Sequence, residues 1–384
     1  MMFARSIAAP GRASFFLFGP RGTGKSTWVQ QMLPKAFRVD LLRESTFAEL
    51  AGHADRLEAL ADAAGSRVIF IDEVQRLPAL LDEVHRLVER RGFRFALTGS
   101  SARKLKRSGA NLLAGRARTL TMNPFTASEL GAAFNLGRAI RYGMLPTVWV
   151  RDDPAEYLKS YVGTYLREEV QQEALVRNLP GFARFLAAAS LSQGAVLNVQ
   201  AVATDCGISR KTVETHFDLL DDLLLAVRIS VFRRRAKRKI TAHPKFYFFD
   251  AGVFRALRPR GPLDAAEEVD GAAIETLVFQ SLRAENANRD LGYQISYWRT
   301  ADGKEVDFVL YGERGLLAFD VKRASRFRDQ DLAGLRLFCE DYPEASGCLL
   351  YGGAQRYRFG RIDVVPLADG LTSLAGRLAE GGHR

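Results

Sequence analysis

The sequence predicts an α/β protein: a parallel sheet first, then a helical stretch, a small helix-and-hairpin unit and a C-terminal αβββαβ arrangement. Three observations carry this. GPRGTGKS, Gly19 to Ser26, lies between the apolar run Phe15 to Phe18 and a helix-compatible stretch, Thr27 to Leu33. Short apolar runs near Phe15, Phe37 to Val39, Val68, Phe93 and Thr119 are separated by helix-length segments, the pattern of a doubly wound sheet. In the last third, a helix (Ala272 to Asn288) precedes strands Tyr293 to Arg299, Glu305 to Tyr311 and Leu316 to Lys322. A helix (Asp329 to Tyr342) and a strand (Gly347 to Tyr351) follow.

The first element fits G-x-x-x-x-G-K-[ST] in full and predicts a nucleoside triphosphate, ATP, with Mg²⁺. Gly19, Gly22 and Gly24 let backbone N–H groups curl around phosphates at a helix N-terminus, with Pro20, Arg21 and Thr23 completing the loop and Thr27 following it. Lys25 is expected to reach the β- and γ-phosphates, and Ser26 to hold the metal. The run Val68 to Ile71 ends in Asp72 and Glu73. Asp72 is expected to complete the Mg²⁺ shell through water, and Glu73 to polarise the attacking water. A third apolar run, Phe93 to Leu97, ends in Thr98, Gly99 and Ser100, where a polar side chain can touch the γ-phosphate or the water. Ser and Thr also end strands as ordinary helix caps, so Ser100 carries either meaning.

GPRGTGKST, IFIDEVQRLP, LTGSSARKL, LLAGRARTLTMNPF and YWRTADGKEVDFV, in this order, resemble the bacterial and archaeal ATPases with an AAA-type domain followed by a DUF4143 region. The likeness runs from about Ser14 to about Arg323. It implies an AAA-type ATPase domain over 1–125 and a helical lid over 126–180. Arg116, in LLAGRAR, stands where AAA-type proteins present an arginine to the neighbour's γ-phosphate, with Arg118 the alternate and a plain salt bridge the competing reading. Self-association as a homo-oligomer follows from that resemblance, a hexamer being one form. Tyr157 to Gln172 has apolar and aromatic residues at helical spacing.

With 384 residues and 47% hydrophobic content, the chain supports two or three domains. No run approaches the ~18–20 apolar residues of a membrane span, and MMFARSIAAPGR lacks a signal-peptide core. Cys206, Cys339 and Cys348 show no metal spacing, so a cytoplasmic protein without a membrane partner is expected. The net charge of +11 points to a polyanion, DNA above all.

Residues 181–258 read as a winged helix. VQAVATDCGISRKTVETHFDLLDD places Ala203, Gly207 and Val213 at helix-turn-helix spacing, with Ser209, Arg210, Lys211 and Thr212 opening the second helix. A strand Val227 to Phe232, the basic segment 233–239 and a strand Lys245 to Phe249 make a hairpin with a basic tip. DNA contact and packing against other domains are both consistent with this unit.

The C-terminal region, 259–384, with Asp307, Asp320 and Lys322 in a D…DxK pattern, resembles the core of PD-(D/E)XK nucleases, a restriction-endonuclease-like fold. If Glu313 and Arg314 form a two-residue hairpin loop, Gly312 pairs with Gly315. Asp307 then falls opposite Asp320 and Glu305 opposite Lys322, on one face. Opposed carboxylates repel, and a divalent cation would remove that cost. Asp307, Asp320 and Glu275 are the expected metal ligands, with Lys322 orienting the nucleophile. The competing readings are a vestigial scaffold and a Glu305–Lys322 ion pair. Two functions survive: a DNA-directed ATPase that remodels, translocates or processes DNA, and a nucleotide-switched interaction protein that cuts nothing.

Overall fold

The computed structural model describes residues 3–8, 10–103, 105, 113–165, 178–238, 240, 243–259, 261 and 265–381. The chain divides into two compact units, one of residues 5–123 with 222–225 and one of residues 1–4, 124–221 and 226–384.

In the first unit, β1 (Ser14–Phe18), β2 (Phe37–Asp40), β3 (Val68–Asp72), β4 (Arg94–Gly99) and β5 (Ala117–Thr121) form a parallel sheet in the order β2-β3-β4-β1-β5. Period-2 alternation sends side chains to two covered faces, so the central strands β1, β3 and β4 are largely apolar. Phe16, Phe18, Ile69 and Ile71 enter the core on one face, whereas Phe15, Leu17 and Phe70 pack with Trp28 and Val29 on the other. The helix Leu80–Arg91 shows how local sequence fixes an element. Asp82 and Glu83 lie in its first turn and Arg90 and Arg91 in its last, each matching the helix dipole. Gly92, at φ 64°, ends it in the left-handed conformation.

In the second unit, β8 (Gln294–Arg299), β9 (Glu305–Gly312), β10 (Gly315–Lys322), β11 (Ala345–Tyr351), β12 (Tyr357–Phe359) and β13 (Ile362–Pro366) form a sheet in the order β12-β13-β11-β10-β9-β8. The helix Ala266–Asn288, buried on most sides, packs Leu277, Val278 and Phe279 with Phe308, Leu310 and Phe319. The opposite face sends Val309 and Ala318 to Leu335 and Phe338 of the helix Ala333–Asp341. Gly334 allows that helix to approach closely, since an added Cβ would lie 2.0 Å from the Glu305 carbonyl. The expected register is observed: Gly315 opposes Gly312, and the ladder continues to Phe319 opposite Phe308.

Upstream, β6 (Ala226–Ile229) and β7 (Lys245–Phe248) pair antiparallel. The chain just after β6 lies along β8, with Phe232 N–H donating to the Tyr297 carbonyl at 2.6 Å and Tyr297 N–H to that of Ser230 at 3.1 Å. The helices Val199–Cys206 and Arg210–Asp222 are joined through Gly207 at φ 66°. Val213, Phe217 and Leu220 turn inward, while Ser209 to Thr212 are exposed.

Two helix expectations change. The described part of Tyr157 to Gln172 is a helix Pro154–Ser160 that widens into a π turn at Tyr161–Tyr165, and residues 166–172 lie outside the described residues. Asp329 to Tyr342 is a 3₁₀ turn, Asp329–Leu332, followed by the helix Ala333–Asp341.

Candidate nucleotide site and an acidic cluster

The loop after β1 is built for phosphate. Gly22 and Gly24 have φ of 83° and 87°, which side-chain-bearing residues rarely adopt. Gly19 is required for space, because a Cβ there would lie 2.3 Å from the Met122 carbonyl. Lys25 is buried, and its ammonium donates to the Gly19 carbonyl at 2.7 Å and the Pro20 carbonyl at 3.2 Å. Thr23 Oγ1 donates to Pro20 O at 2.8 Å, while Arg21 and Thr27 are exposed beside the loop. Arg5, which sequence reasoning did not single out, clasps the loop by donating to the carbonyls of Thr23 (2.9 Å) and Asn123 (2.6 Å).

At the end of β3, Asp72 is 3% exposed and collects three donors. Ser26 Oγ and Thr98 Oγ1 donate to its Oδ1 at 2.8 and 2.6 Å, and the Arg38 guanidinium reaches its Oδ2 at 3.0 Å. The next residue, Glu73, has φ 59°, strained for a residue bearing a side chain. Gln75 Nε2 donates to its Oε2 and also reaches Ser100 Oγ at 3.3 Å. The structure thus groups Ser26 with Asp72 and links Glu73 to Ser100 through Gln75. Arg38 was missed because only the pairing of β2 with β3 brings it near, and Gln75 because the 3₁₀ turn Val74–Arg76 that aims it back at Glu73 has no signal in the sequence. A hard oxygen donor pair, Ser26 and Asp72, fits Mg²⁺. Arg116 pairs with Glu89 at 2.5 Å and is 42% exposed, so the salt-bridge reading has a concrete partner.

The second group lies in the C-terminal half. Glu275 on its helix, Glu305 and Asp307 on β9, and Asp320 on β10 lie in one cluster, and Lys245 of β7 is the partner of the first three. Its side chain is 3% exposed, and its Nζ lies 3.3 Å from Glu275 Oε1 and 3.5 Å from Asp307 Oδ1. It also ion-pairs with Glu305, which reaches Arg299 at 3.2 Å. Tyr247 donates its hydroxyl to Glu275 Oε1 at 2.5 Å.

Burial first, and the Asp307 charge second, push Glu275 up to about 7. The same two causes hold Asp320 well above the usual carboxylate range. Burial works against the Lys245 ammonium, yet the anionic groups around it hold its pKa well above the ordinary lysine value. Among the described residues, no group of three or more His, Cys, Asp or Glu side chains is arranged to hold a metal ion. Of the expected ligands, Glu275 and Asp307 stand against the Lys245 ammonium, and Asp307 and Asp320 accept backbone N–H groups. The carboxylates do not fit a divalent ion while Lys245 stands among them. The Glu305–Lys322 pair is not formed either, because Lys245 and Arg299 draw Glu305 away. Lys322 contributes its charge beside Asp320.

The basic tip, residues 233–238, is exposed, and two of its charges have partners. Arg234 stacks 4.6 Å from the Tyr311 ring centroid, and Arg238 bonds Asp341 at 2.8 Å. Lys239 lies outside the described residues. No helix among the described residues is long and apolar enough to cross a membrane.

Comparison with known proteins agrees with the nucleotide site. Residues 12–131 match an AAA domain, residues 134–264 a domain of unknown function (DUF8612), and residues 270–369 another (DUF4143). Uncharacterized proteins of Mycobacterium bovis and Mycobacterium tuberculosis are each 24% identical over 359 residues, spanning 92% of this chain and 79% of theirs. An uncharacterized protein of Methanocaldococcus jannaschii is 24% identical over 336 residues, spanning 77% of this chain and 72% of its own. A solved structure from Vibrio cholerae is 13% identical with a TM-score of 0.23, covering 83% of this chain and 93% of that one. The chain thus joins an AAA domain to a DUF4143 domain and has uncharacterized bacterial and archaeal relatives.

Proposed function

We propose that the chain is an ATPase that acts on DNA. The observation that carries the ATPase reading is the Ser26–Asp72–Thr98 constellation beside Lys25 and Glu73. Lys25 exchanges the loop carbonyls for the β- and γ-phosphates, and the backbone N–H groups of Gly22 and Gly24 help bind them. Ser26 and Asp72 would hold Mg²⁺, which supplies neutralising charge to the phosphates when bound. Glu73 orients the attacking water and takes its proton, and Gln75 with Ser100 fixes the carboxylate. Arg116 is the residue proposed to complete a neighbour's site in a homo-oligomer, at the expense of its pairing with Glu89.

The division of labour follows the sequence boundaries: hydrolysis in 1–125, a lid in 126–180, DNA contact through a winged helix in 181–258, and a nuclease-like scaffold in 259–384. The exposed Ser209 to Thr212 at the start of a helix, and the basic segment from Arg233 onward, support DNA as partner. The test is ATP turnover with no DNA and with single-stranded, linear duplex and branched DNA. Several-fold stimulation by at least one form is expected.

One observation favours a second reading, a nucleotide-switched interaction protein with a vestigial nuclease fold. Arg234 and Arg238, although exposed, already have partners in Tyr311 and Asp341. Under that reading turnover is the same with every DNA.

A further inference from the structure

We infer that Lys245 is the resident cation of the acidic cluster, so that the D…DxK centre takes no divalent metal while β7 is in place. An ammonium carries three N–H donors, and Lys245 has three carboxylate partners in Glu275, Glu305 and Asp307. The 3.3 and 3.5 Å separations to Glu275 and Asp307 suit a nitrogen cation, whereas a divalent ion needs oxygens at about 2.0–2.6 Å. The Tyr297 ring, 5.6 Å from Nζ, adds a π face that favours an ammonium and offers a metal nothing. Part of the remaining carboxylate capacity goes to backbone, since Asp307 N–H donates to Asp320 Oδ1 and Val321 N–H to Asp307 Oδ2, each at 2.9 Å.

Lys245 is also held from behind. Gly194 N–H donates to the Phe246 carbonyl at 2.9 Å, Leu197 N–H to that of Pro244 at 2.8 Å, and Tyr297 hydroxyl to that of His243. The cluster is not sealed: Glu275, Glu305 and Asp307 keep 20%, 24% and 16% of their side-chain surface. Ions from solvent reach these carboxylates and meet a position already filled.

The test is Mn²⁺ binding to the nucleotide-free full chain, followed by calorimetry and by melting temperature, in a Lys25→Ala background that weakens ATP carry-over. In that background Mn²⁺ is expected to give no signal that depends on Asp307, so adding Asp307→Asn changes nothing. Lys245→Ala, which removes the cation and opens space, is expected to gain one Mn²⁺ site at least tenfold tighter than any in its parent. That site is lost again in Lys245→Ala with Asp307→Asn. Mn²⁺ binding by the parent that Asp307→Asn abolishes overturns the inference, as does a folded Lys245→Ala protein that gains no site. Should Lys245→Ala not fold, the comparison of parent with Asp307→Asn decides alone.

Discussion

Asp307 and Asp320 are each bound to the other's strand: Asp307 donates its N–H to Asp320 Oδ1, while its own Oδ2 accepts from Val321 N–H, both at 2.9 Å. The two side chains take over the hydrogen bonding just beyond the ladder that ends at Phe308 and Phe319. Asn at 307 keeps an acceptor for Val321 and removes one negative charge from a crowded site. Asp307→Asn is therefore expected to change stability by less than about 1 kcal/mol in urea denaturation. Lys245→Met, which leaves several carboxylates uncompensated, is expected to cost about 3–5 kcal/mol.

Lys25 and Glu73 separate binding from chemistry. Lys25→Ala is expected to weaken ATP binding, and Glu73→Gln to leave binding near wild type while slowing hydrolysis by orders of magnitude. Equilibrium binding of a fluorescent ATP analogue, beside single-turnover hydrolysis, reads the two effects apart. Wild-type hydrolysis by Glu73→Gln removes Glu73 from its role.

Arg116 allows a similar separation. Its pair with Glu89 is exposed on both sides, so Arg116→Ala is expected to cost at most about 1 kcal/mol of stability. As an arginine finger it is worth about 10³–10⁵ in rate. Mixing Arg116→Ala with Lys25→Ala protein then restores part of the activity. Turnover independent of concentration in a monomeric sample ends this assignment.

Asp250 predicts a pH dependence. Burial raises it from the ordinary 3.8 to about 6, although the N–H groups of Met144, Gly252 and Val253 all donate to it. A raised carboxylate means the folded state binds the proton more tightly than the unfolded one. This group's contribution to stability is thus greatest below pH ~4 and is lost as pH rises towards about 6, a change of about 3 kcal/mol. Urea midpoints of wild type and Asp250→Asn across pH 4–7 check it: the slope attributable to this group vanishes in the variant.

The central strands of the first sheet, β1, β3 and β4, were legible because strands covered on both faces leave apolar runs that few other elements imitate. The Gly312–Gly315 turn was legible for a different reason: two residues between glycines fix a register, and register fixes which side chains face each other. Lys245 was not legible. Nothing in KFYFF distinguishes a lysine opening an edge strand from one buried among acids, and Glu275 lies 30 positions further along the chain. Arg238 is exposed, as a basic run suggests, but its partner, Asp341, lies 103 positions further along the chain and was not legible either. Charge partners across long separations are set by packing, which local pattern does not encode.

The strip 230–232 along β8 makes the segment that similarity would excise a poor unit of exchange. Cut at residue 270, where the DUF4143 match begins, the remaining chain has a bare strand edge at β8 and no lysine for its carboxylates. Such a fragment invites edge-to-edge association. A recombination event that transplanted only the C-terminal part into a relative would succeed only if the recipient supplied its own matching hairpin. Viable crossovers for this half of the molecule therefore fall upstream of β6, and the hairpin and the six-stranded sheet are inherited together.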